Sequence, residues 1–269
     1  MIERRHIISF VVATLSVFTM GIAAQAKEPL EDSINRVHKK RSNWRLDSIL
    51  RDDFEDNYRE DEVAGWQAFL ESTGSQSIGS ASGGRLADAR EIPKDNSVYI
   101  RKNRDGIFGT DETVAILQWL AHSMQIRYPG TVPMVIGDLS RKGGGSFKPH
   151  LSHQSGRDVD IGYYLAGNTK AKRFKHATRQ NFDLEKNWAM VELLLKTGRV
   201  QYLFIDRKLH KLLFEKALEM GWNEEETRKL FEAPIGRRPK SGIIRHVKGH
   251  INHIHVRFHC PSNDKSCVN

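Results

Sequence analysis

The chain contains 269 residues, which is enough for one catalytic domain and an N-terminal extension. Lysine and arginine number 42 against 33 acidic residues, so the formal net charge is +9. Outside the cytosol, such a charge argues against nucleic acid as the partner. It favours an anionic surface such as a cell-wall polymer or phospholipid headgroups, although general solubility explains it equally well.

The N-terminus has the composition of a secretory signal peptide. Two arginines precede an apolar run over residues 7–23, and the small side chains of Ala24 and Ala26 offer a cleavage site. A membrane anchor is the alternative, but the run is barely long enough to span a bilayer and contains four serine or threonine residues. We therefore predict a signal peptide over residues 1–26 and no transmembrane anchor after its cleavage.

Residues 27–84 are predicted to form a separate N-terminal region. Residues 27–71 are highly charged with sparse apolar side chains, a weak pattern for one or two amphipathic helices. Residues 73–84 are rich in glycine and serine, which is typical of a flexible linker or a long surface loop. We place the domain boundary there and predict the main domain over residues 85–269.

Within this domain, strands are predicted to alternate with helices of unequal length. Apolar runs predict strands over residues 98–101, 132–138, 159–163, 200–206 and 251–258. Helical spacing predicts a helix between the cap Thr110 and the stop at Pro129, one from Asn181 or Asp183 to Lys196, and two more over 209–220 and 224–232. Because no βαβ unit repeats, the order favours an α+β fold over a doubly wound sheet.

The last predicted strand carries the densest group of histidines. Five of the 12 histidines lie within residues 246–259. In an extended strand, His253, His255 and Arg257 share one face, and the apolar residues between them face the core. The two imidazoles could both bind one metal, or one could bind it while its neighbour moves protons. A strand with polar, solvent-facing residues is the alternative, but histidine is a rare choice for that role.

A second cluster lies far upstream and contains His150, His153, Asp158 and Asp160. The two aspartates alternate with β-branched residues, so both carboxylates share one face of the following strand. Each could bind a metal or orient an imidazole, and a surface Asx-turn explains Asp158 equally well. Imidazole and carboxylate from two distant segments are the ligands that zinc selects, so they predict a catalytic metal site.

The sequence lacks the motifs of other catalytic sites. It contains no His-Glu-x-x-His helix, no Gly-x-Ser-x-Gly elbow and no phosphate-binding loop. The glycines at residues 143–145 are predicted to form a turn beside the site. Cys260 and Cys267 are predicted to form a disulfide that holds the chain after the histidine strand. Metal-assisted hydrolysis is the predicted chemistry.

These segments resemble the penicillin-insensitive murein endopeptidases, which belong to the LAS group of metallopeptidases. The motifs are Ser-His-Gln-Ser-Gly-Arg-Asp-Val-Asp-Ile at residues 152–161 and His-x-x-His-x-His-Val-Arg at residues 250–257. The likeness covers residues 86–267 and includes Phe-Gly-Thr at residues 108–110 and the C-terminal cysteine pair. The resemblance implies a small, mainly antiparallel central sheet flanked by helices, preceded by a helical or irregular extension.

The resemblance also implies a ligand set. His153, Asp160 and His255 would hold one catalytic zinc ion and leave its fourth position open for water. His253 would act as general base or stabilise the oxyanion, and His250 would assist it. The glutamate base of the related D-alanyl-D-alanine dipeptidases has no obvious counterpart here, which favours histidine as the base.

A second metal position is a further implication of the resemblance. His150 corresponds to a family histidine at the mouth of the site that can take part in such a position. Asp158 and Arg257 are further candidates for a second metal or for substrate. The acidic partner is not identified by the alignment of motifs, and Asp183 is a candidate for it.

The predicted function is therefore that of a periplasmic zinc endopeptidase that hydrolyses peptide crosslinks in peptidoglycan, with the D-alanyl–meso-diaminopimelyl bond as its target. No nucleic-acid partner is predicted. A D,D- or L,D-carboxypeptidase that acts on uncrosslinked stem peptides stays open, because the same zinc chemistry serves both. A non-catalytic zinc-binding or wall-binding module is the third possibility, but it would give no reason for a histidine at position 253.

Overall fold

A computed structural model describes residues 74–95, 97–102, 105–232 and 242–269, and every structural statement below concerns these residues. The predicted signal peptide and the charged segment 27–71 lie outside them. The strands are β1 (Gln76–Ser80), β2 (Gly83–Ala87), β3 (Arg90–Glu91), β4 (Tyr99–Arg101), β5 (Phe108–Gly109), β6 (Met134–Ile136), β7 (Asp158–Gly162), β8 (Val200–Ile205), β9 (Ile244–His246) and β10 (His253–Phe258). The helices are α1 (Asp111–Arg127), α2 (Leu184–Lys196), α3 (Arg207–Glu219) and α4 (Glu224–Leu230), with a 3-10 turn at Ala166–Asn168.

A six-stranded mixed sheet lies at the centre of the domain, in the order β4-β6-β7-β10-β8-β9. The inner strands β6, β7, β10 and β8 pair antiparallel, and β4 and β9 join the two edges in parallel. The predicted α+β fold with a small, mainly antiparallel sheet is confirmed. The two strands that carry the predicted ligands, β7 and β10, are neighbours in the middle of this sheet.

The helices begin at short polar side chains that cap them. The Thr110 hydroxyl accepts a hydrogen bond from a backbone N–H in the first turn of α1, and the Asp183 carboxylate does the same for α2. Asp206 caps α3 in this way. Such caps satisfy N–H groups that have no partner within the helix. The predicted start after Thr110 is confirmed, and of the two predicted starts for the second helix the structure has Asp183.

The apolar face of the sheet fixes the register of β10. Ile254, Val256 and Phe258 are almost completely buried, as the alternating pattern predicts. Each apolar side chain of this size stabilises the fold by about 1.5–3 kcal/mol when buried. A slip of one residue would turn all three towards the other face and bring His255 into the core, so the register is strongly specified.

Residues 76–87 form a β-hairpin where the composition predicted a flexible linker. Strand β1 pairs antiparallel with β2, and Ala81 and Leu86 are buried. A Cβ atom at Gly84 would clash with the Ser80 carbonyl oxygen, and Gly79 has a φ of +73°. The linker prediction for these residues is wrong because their glycines permit a tight backbone approach within a folded element.

The C-terminal tail connects this hairpin to the central sheet. The predicted disulfide between Cys260 and Cys267 is present and closes the loop after β10. The Val268 N–H donates to the Gly79 carbonyl at 3.0 Å. The buried guanidinium of Arg157 donates to the Val268 carbonyl at 2.8 Å. The disulfide therefore holds a segment that packs on the hairpin and on the residue that precedes β7.

Some edge elements differ from the predictions. Strand β6 is shorter than the predicted strand 132–138, because Pro133 has no N–H for the sheet and Val132 donates to the Asn168 side chain at 3.0 Å. Strand β9 was not predicted, since three residues are too few to show an alternating pattern. Within the described part of the chain, no helix combines the length and apolar character needed to cross a bilayer.

Candidate metal centre

The pairing of β7 with β10 brings the two predicted clusters together. His255 lies opposite Asp160, and Arg257 lies opposite Asp158. Residues directly opposite each other in an antiparallel pair have Cβ atoms about 4.5–5.5 Å apart, so their side chains meet. The rigid centre of the sheet therefore positions these four side chains.

The Asp160 carboxylate is surrounded by four imidazoles. Its Oδ1 lies 3.4 Å from His153 Nε2, 3.5 Å from His253 Nε2 and 3.6 Å from His255 Nδ1. Its Oδ2 lies 3.9 Å from His150 Nδ1. One ligand atom from each of His150, His153 and Asp160 falls within 4.8 Å of the other two. These spacings suit a metal ion bound by imidazole and carboxylate.

Three atoms of this cluster are buried without a hydrogen-bond partner among the described residues: His255 Nε2, which faces Asp158, and the two that face each other, His153 Nε2 and Asp160 Oδ1. His153 Nδ1 lies 2.7 Å from the Leu139 carbonyl and donates to it, so Nε2 is the ring nitrogen that faces Asp160. A buried polar group without a partner costs about 1–3 kcal/mol. A divalent cation between the two atoms would satisfy both, so the residues present fit a metal.

His255 presents its two nitrogens to two different carboxylates. Nδ1 faces Asp160, and Nε2 lies 3.3 Å from Asp158 Oδ1. Asp158 is itself held by Arg257, whose Nε and Nη2 donate to it at 2.7 and 3.1 Å, and by the His153 N–H at 2.9 Å. Asp158 thus contacts the His255 imidazole from the side away from Asp160 and also holds the backbone of His153, so it can orient both residues.

The packing of carboxylates and imidazoles shifts their pKa values in different directions. Burial disfavours the charged form of His153, but the Asp160 carboxylate outweighs it and raises the pKa of His153 to about 9. Burial alone would raise the pKa of Asp160. The neighbouring imidazoles lower it by more, so it falls well below its usual range. Burial lowers the pKa of His253 to about 4 despite Asp160, so His253 is neutral at physiological pH and can accept a proton.

A strained turn carries His153 to this position. Its φ is +64°, in the left-handed region, which costs a residue other than glycine about 1–3 kcal/mol. Gly156, in the same turn, has a φ of +74°. The turn folds His153 back over the start of β7, and the hydrogen bond from its backbone N–H to Asp158 stabilises it.

The remaining predicted residues lie around this centre, with one exception. The His250 ring centroid lies 4.8 Å from that of His253. The His150 ring centroid lies 4.2 Å from that of His153. Asp183, the candidate acid for a second metal position, instead caps helix α2.

The sequence was compared with known proteins. It matches the family model described as penicillin-insensitive murein endopeptidase over residues 77–219. Proteins of that name from Salmonella paratyphi C (strain RKS4594) and Salmonella typhi are each 29% identical over 210 residues, covering 72% of this chain and 69% of the relative. The protein of that name from Salmonella heidelberg (strain SL476) is 28% identical over 211 residues, with the same coverage.

The chain belongs to the penicillin-insensitive murein endopeptidase family. The match spans more than half of the chain and includes the segment with His153 and Asp160. The predicted family and the predicted enzyme class, a peptidase, are both confirmed.

In this member of the murein endopeptidase family, the structure adds two residues that the sequence predictions did not include in the site. Asp138 follows β6, and its Oδ2 accepts from His150 Nε2 at 2.9 Å. Its position at the end of a predicted strand was a signal that could have identified it. The ring of Phe174 stacks on His253 with centroids 5.0 Å apart. Phe174 lies in an irregular basic segment without a motif, so no sequence pattern pointed to it.

Proposed function

We propose that the protein is a zinc-dependent peptidase that hydrolyses peptide crosslinks in peptidoglycan, with the D-alanyl–meso-diaminopimelyl bond as its target. The observation that carries the proposal is the position of Asp160 Oδ1, 3.4 Å from His153 Nε2 and 3.6 Å from His255 Nδ1. The names of the relatives support murein as the substrate class. The predicted signal peptide would place the enzyme in the periplasm, where this polymer lies.

His153, Asp160 and His255 would hold one zinc ion, because imidazole and carboxylate are ligands that zinc selects and three of them leave a position open. Zinc bound there supplies Lewis-acid chemistry, since it polarises a carbonyl and lowers the pKa of a water molecule. We assign the third ligand to His255 because the family motif implies it, and its Nδ1 faces Asp160 Oδ1 at 3.6 Å. His253 Nε2 lies 3.5 Å from the same oxygen, so the assignment comes from the motif and not from the distances. His150 faces Oδ2 and is held by Asp138, which suits a second metal position or a substrate contact.

His253 would accept the proton of the attacking water at Nε2 and deliver it to the leaving amine. Its Nε2 points towards Asp160, and its Nδ1 lies 2.6 Å from Asn252 Oδ1, a contact that fixes the ring. Burial lowers the pKa of His253, so Nε2 is unprotonated before the reaction and has a free lone pair. His250 lies beside it and would assist in proton transfer.

Digestion of purified peptidoglycan with and without a chelator tests this function. We expect crosslinked muropeptides to disappear, the chelator to prevent this, and added zinc to restore it. Release of free D-alanine without loss of crosslinks would instead indicate a carboxypeptidase. If neither crosslinks nor chain ends changed with the zinc-loaded protein, the proposed function would be wrong.

Asp158→Asn is expected to weaken zinc binding by about 10- to 100-fold, the usual effect of losing a residue that orients a metal ligand. Asp158 is buried, lies 3.3 Å from His255 Nε2 and pairs with Arg257. The variant keeps the shape of the side chain but loses the charge. Competition with a chromophoric chelator measures the zinc Kd. Asp183→Asn, which changes the cap of α2, is the matched control, and equal affinities for the two variants would refute the orienting role.

A further inference from the structure

Phe174 lies against the imidazole of His253. The two rings are nearly parallel, at 16°, with centroids 5.0 Å apart. Lys102 Nζ lies 4.4 Å from the centroid of the Phe174 ring, a cation–π contact. Together with the Asn252 side chain at Nδ1 and the neighbouring His250 ring, Phe174 leaves the His253 imidazole little freedom to rotate.

Two glycines, Gly162 at the end of β7 and Gly137 just after β6, make room for the Phe174 ring. A Cβ atom at Gly162 would lie 3.0 Å from Phe174 Cδ1. A Cβ atom at Gly137 would clash with Phe174 Cζ and lie 3.0 Å from Cε2. Gly162 is the residue opposite His253 in the β7–β10 pair, and the Gly137 N–H donates to the Asp160 carbonyl at 2.7 Å. The notch for the ring is therefore part of the sheet that positions the metal centre.

Hydrogen bonds hold the segment that carries Phe174, residues 166–181. The Ala166 N–H donates to the Asn181 carbonyl at 2.8 Å, which closes the segment on itself. The Asn168 side chain accepts from the Val132 N–H at 3.0 Å. The Ala177 N–H donates to the Ile251 carbonyl at 2.8 Å, and this bond attaches the segment close to the start of the strand that carries His253.

We infer that Phe174 is a positioning residue: its ring holds the His253 imidazole in the orientation that directs Nε2 towards Asp160. The inference rests on the proposed function, because that function assigns proton transfer to His253. Proton transfer requires the base to lie within hydrogen-bond reach of the proton that it takes. A displacement of about 1 Å at a reacting group can lower the rate by about 100-fold.

Phe174→Leu tests this role, because leucine keeps an apolar side chain but removes the flat ring. With zinc-loaded enzyme and soluble crosslinked muropeptides, we expect kcat to fall by about 10- to 100-fold while KM stays within about twofold and zinc content is unchanged. In a His253→Ala background, Phe174→Leu should cause no further loss. Lys175→Ala, an exposed neighbour in the same segment, is the control and should retain wild-type activity.

Crystal structures of the zinc-loaded wild type and the Phe174→Leu variant give a readout that does not depend on activity. We expect one orientation of the His253 ring in the wild type and a rotated or divided orientation in the variant. An unmoved His253 ring, an equal loss of kcat in the His253→Ala background, or a change in KM alone would each overturn the inference. If the wild type failed to cleave muropeptides, the proposed function would fail, whereas the crystallographic comparison would still test the position of the ring.

Discussion

Asp160→Ala is expected to abolish both zinc retention and peptidase activity. Asp160 supplies the only carboxylate of the proposed ligand set, and its Oδ1 is approached by His153, His253 and His255 within 3.4–3.6 Å. Alanine would leave two imidazoles, while a stable zinc site of this class uses about three protein ligands. We therefore expect the zinc content to fall from about one ion per chain to background. His255→Ala should have the same effect.

Metal analysis after gel filtration measures this loss, and circular dichroism establishes that the variants remain folded. His122→Ala is the matched histidine control, because His122 lies exposed on α1 and its Nδ1 hydrogen-bonds to the Gln118 carbonyl in that helix. It should keep both zinc and activity. Full zinc occupancy in a folded Asp160→Ala variant would show that the metal is held elsewhere.

His253→Ala is expected to keep the zinc and lose turnover, by about 100- to 10,000-fold, the usual contribution of a general acid or base. His253 is not in the proposed ligand set, although its Nε2 lies 3.5 Å from Asp160 Oδ1. Burial lowers the pKa of His253, so its imidazole is neutral before the reaction. In the His253→Ala variant no side chain at this position would take up the proton, so the reaction step should slow. Substrate binding should change less, so we expect a larger effect on kcat than on KM.

Steady-state kinetics on purified muropeptides, together with zinc analysis of the same sample, separate these effects. Loss of zinc along with activity would make His253 a ligand, and undiminished turnover would remove it from the mechanism. The two variants thus divide the imidazoles around Asp160 into those that bind the metal and the one that moves the proton.

The alternation of β10 was predictable from the sequence because its faces differ in chemistry. Isoleucine, valine and phenylalanine alternate with His253, His255 and Arg257, and period-two patterning specifies which side each occupies. The start of α1 was also predictable, because the Thr110 side chain caps backbone N–H groups that follow it directly in the sequence. These features depend on neighbours in sequence.

The features that sequence reasoning missed depend on distant neighbours. Asp160 lies opposite His255 because β7 pairs with β10. The sequence around each strand does not specify which other strand it pairs with. The resemblance to a known family placed both residues in one site, whereas residue patterns alone left their roles open. Phe174 was missed because its position depends on a notch formed by Gly162 at the end of β7 and Gly137 just after β6.

The glycine-rich segment before the domain was misinterpreted for a related reason. Composition does not distinguish glycines that provide flexibility from those that allow two backbones to approach. Gly84 allows such an approach, because a Cβ atom there would clash with the Ser80 carbonyl oxygen and lie 2.9 Å from Ser155 Cβ. Ser155 lies far away in the sequence, so composition could not reveal this contact.

A crystal structure of the zinc-loaded protein, with anomalous data collected on both sides of the zinc absorption edge, tests the metal centre most directly. We expect one strong anomalous peak at about 2.0–2.2 Å from His153 Nε2, Asp160 Oδ1 and His255 Nδ1. A zinc peak confined to His150 and Asp138, with none beside Asp160 Oδ1, would contradict the proposed centre.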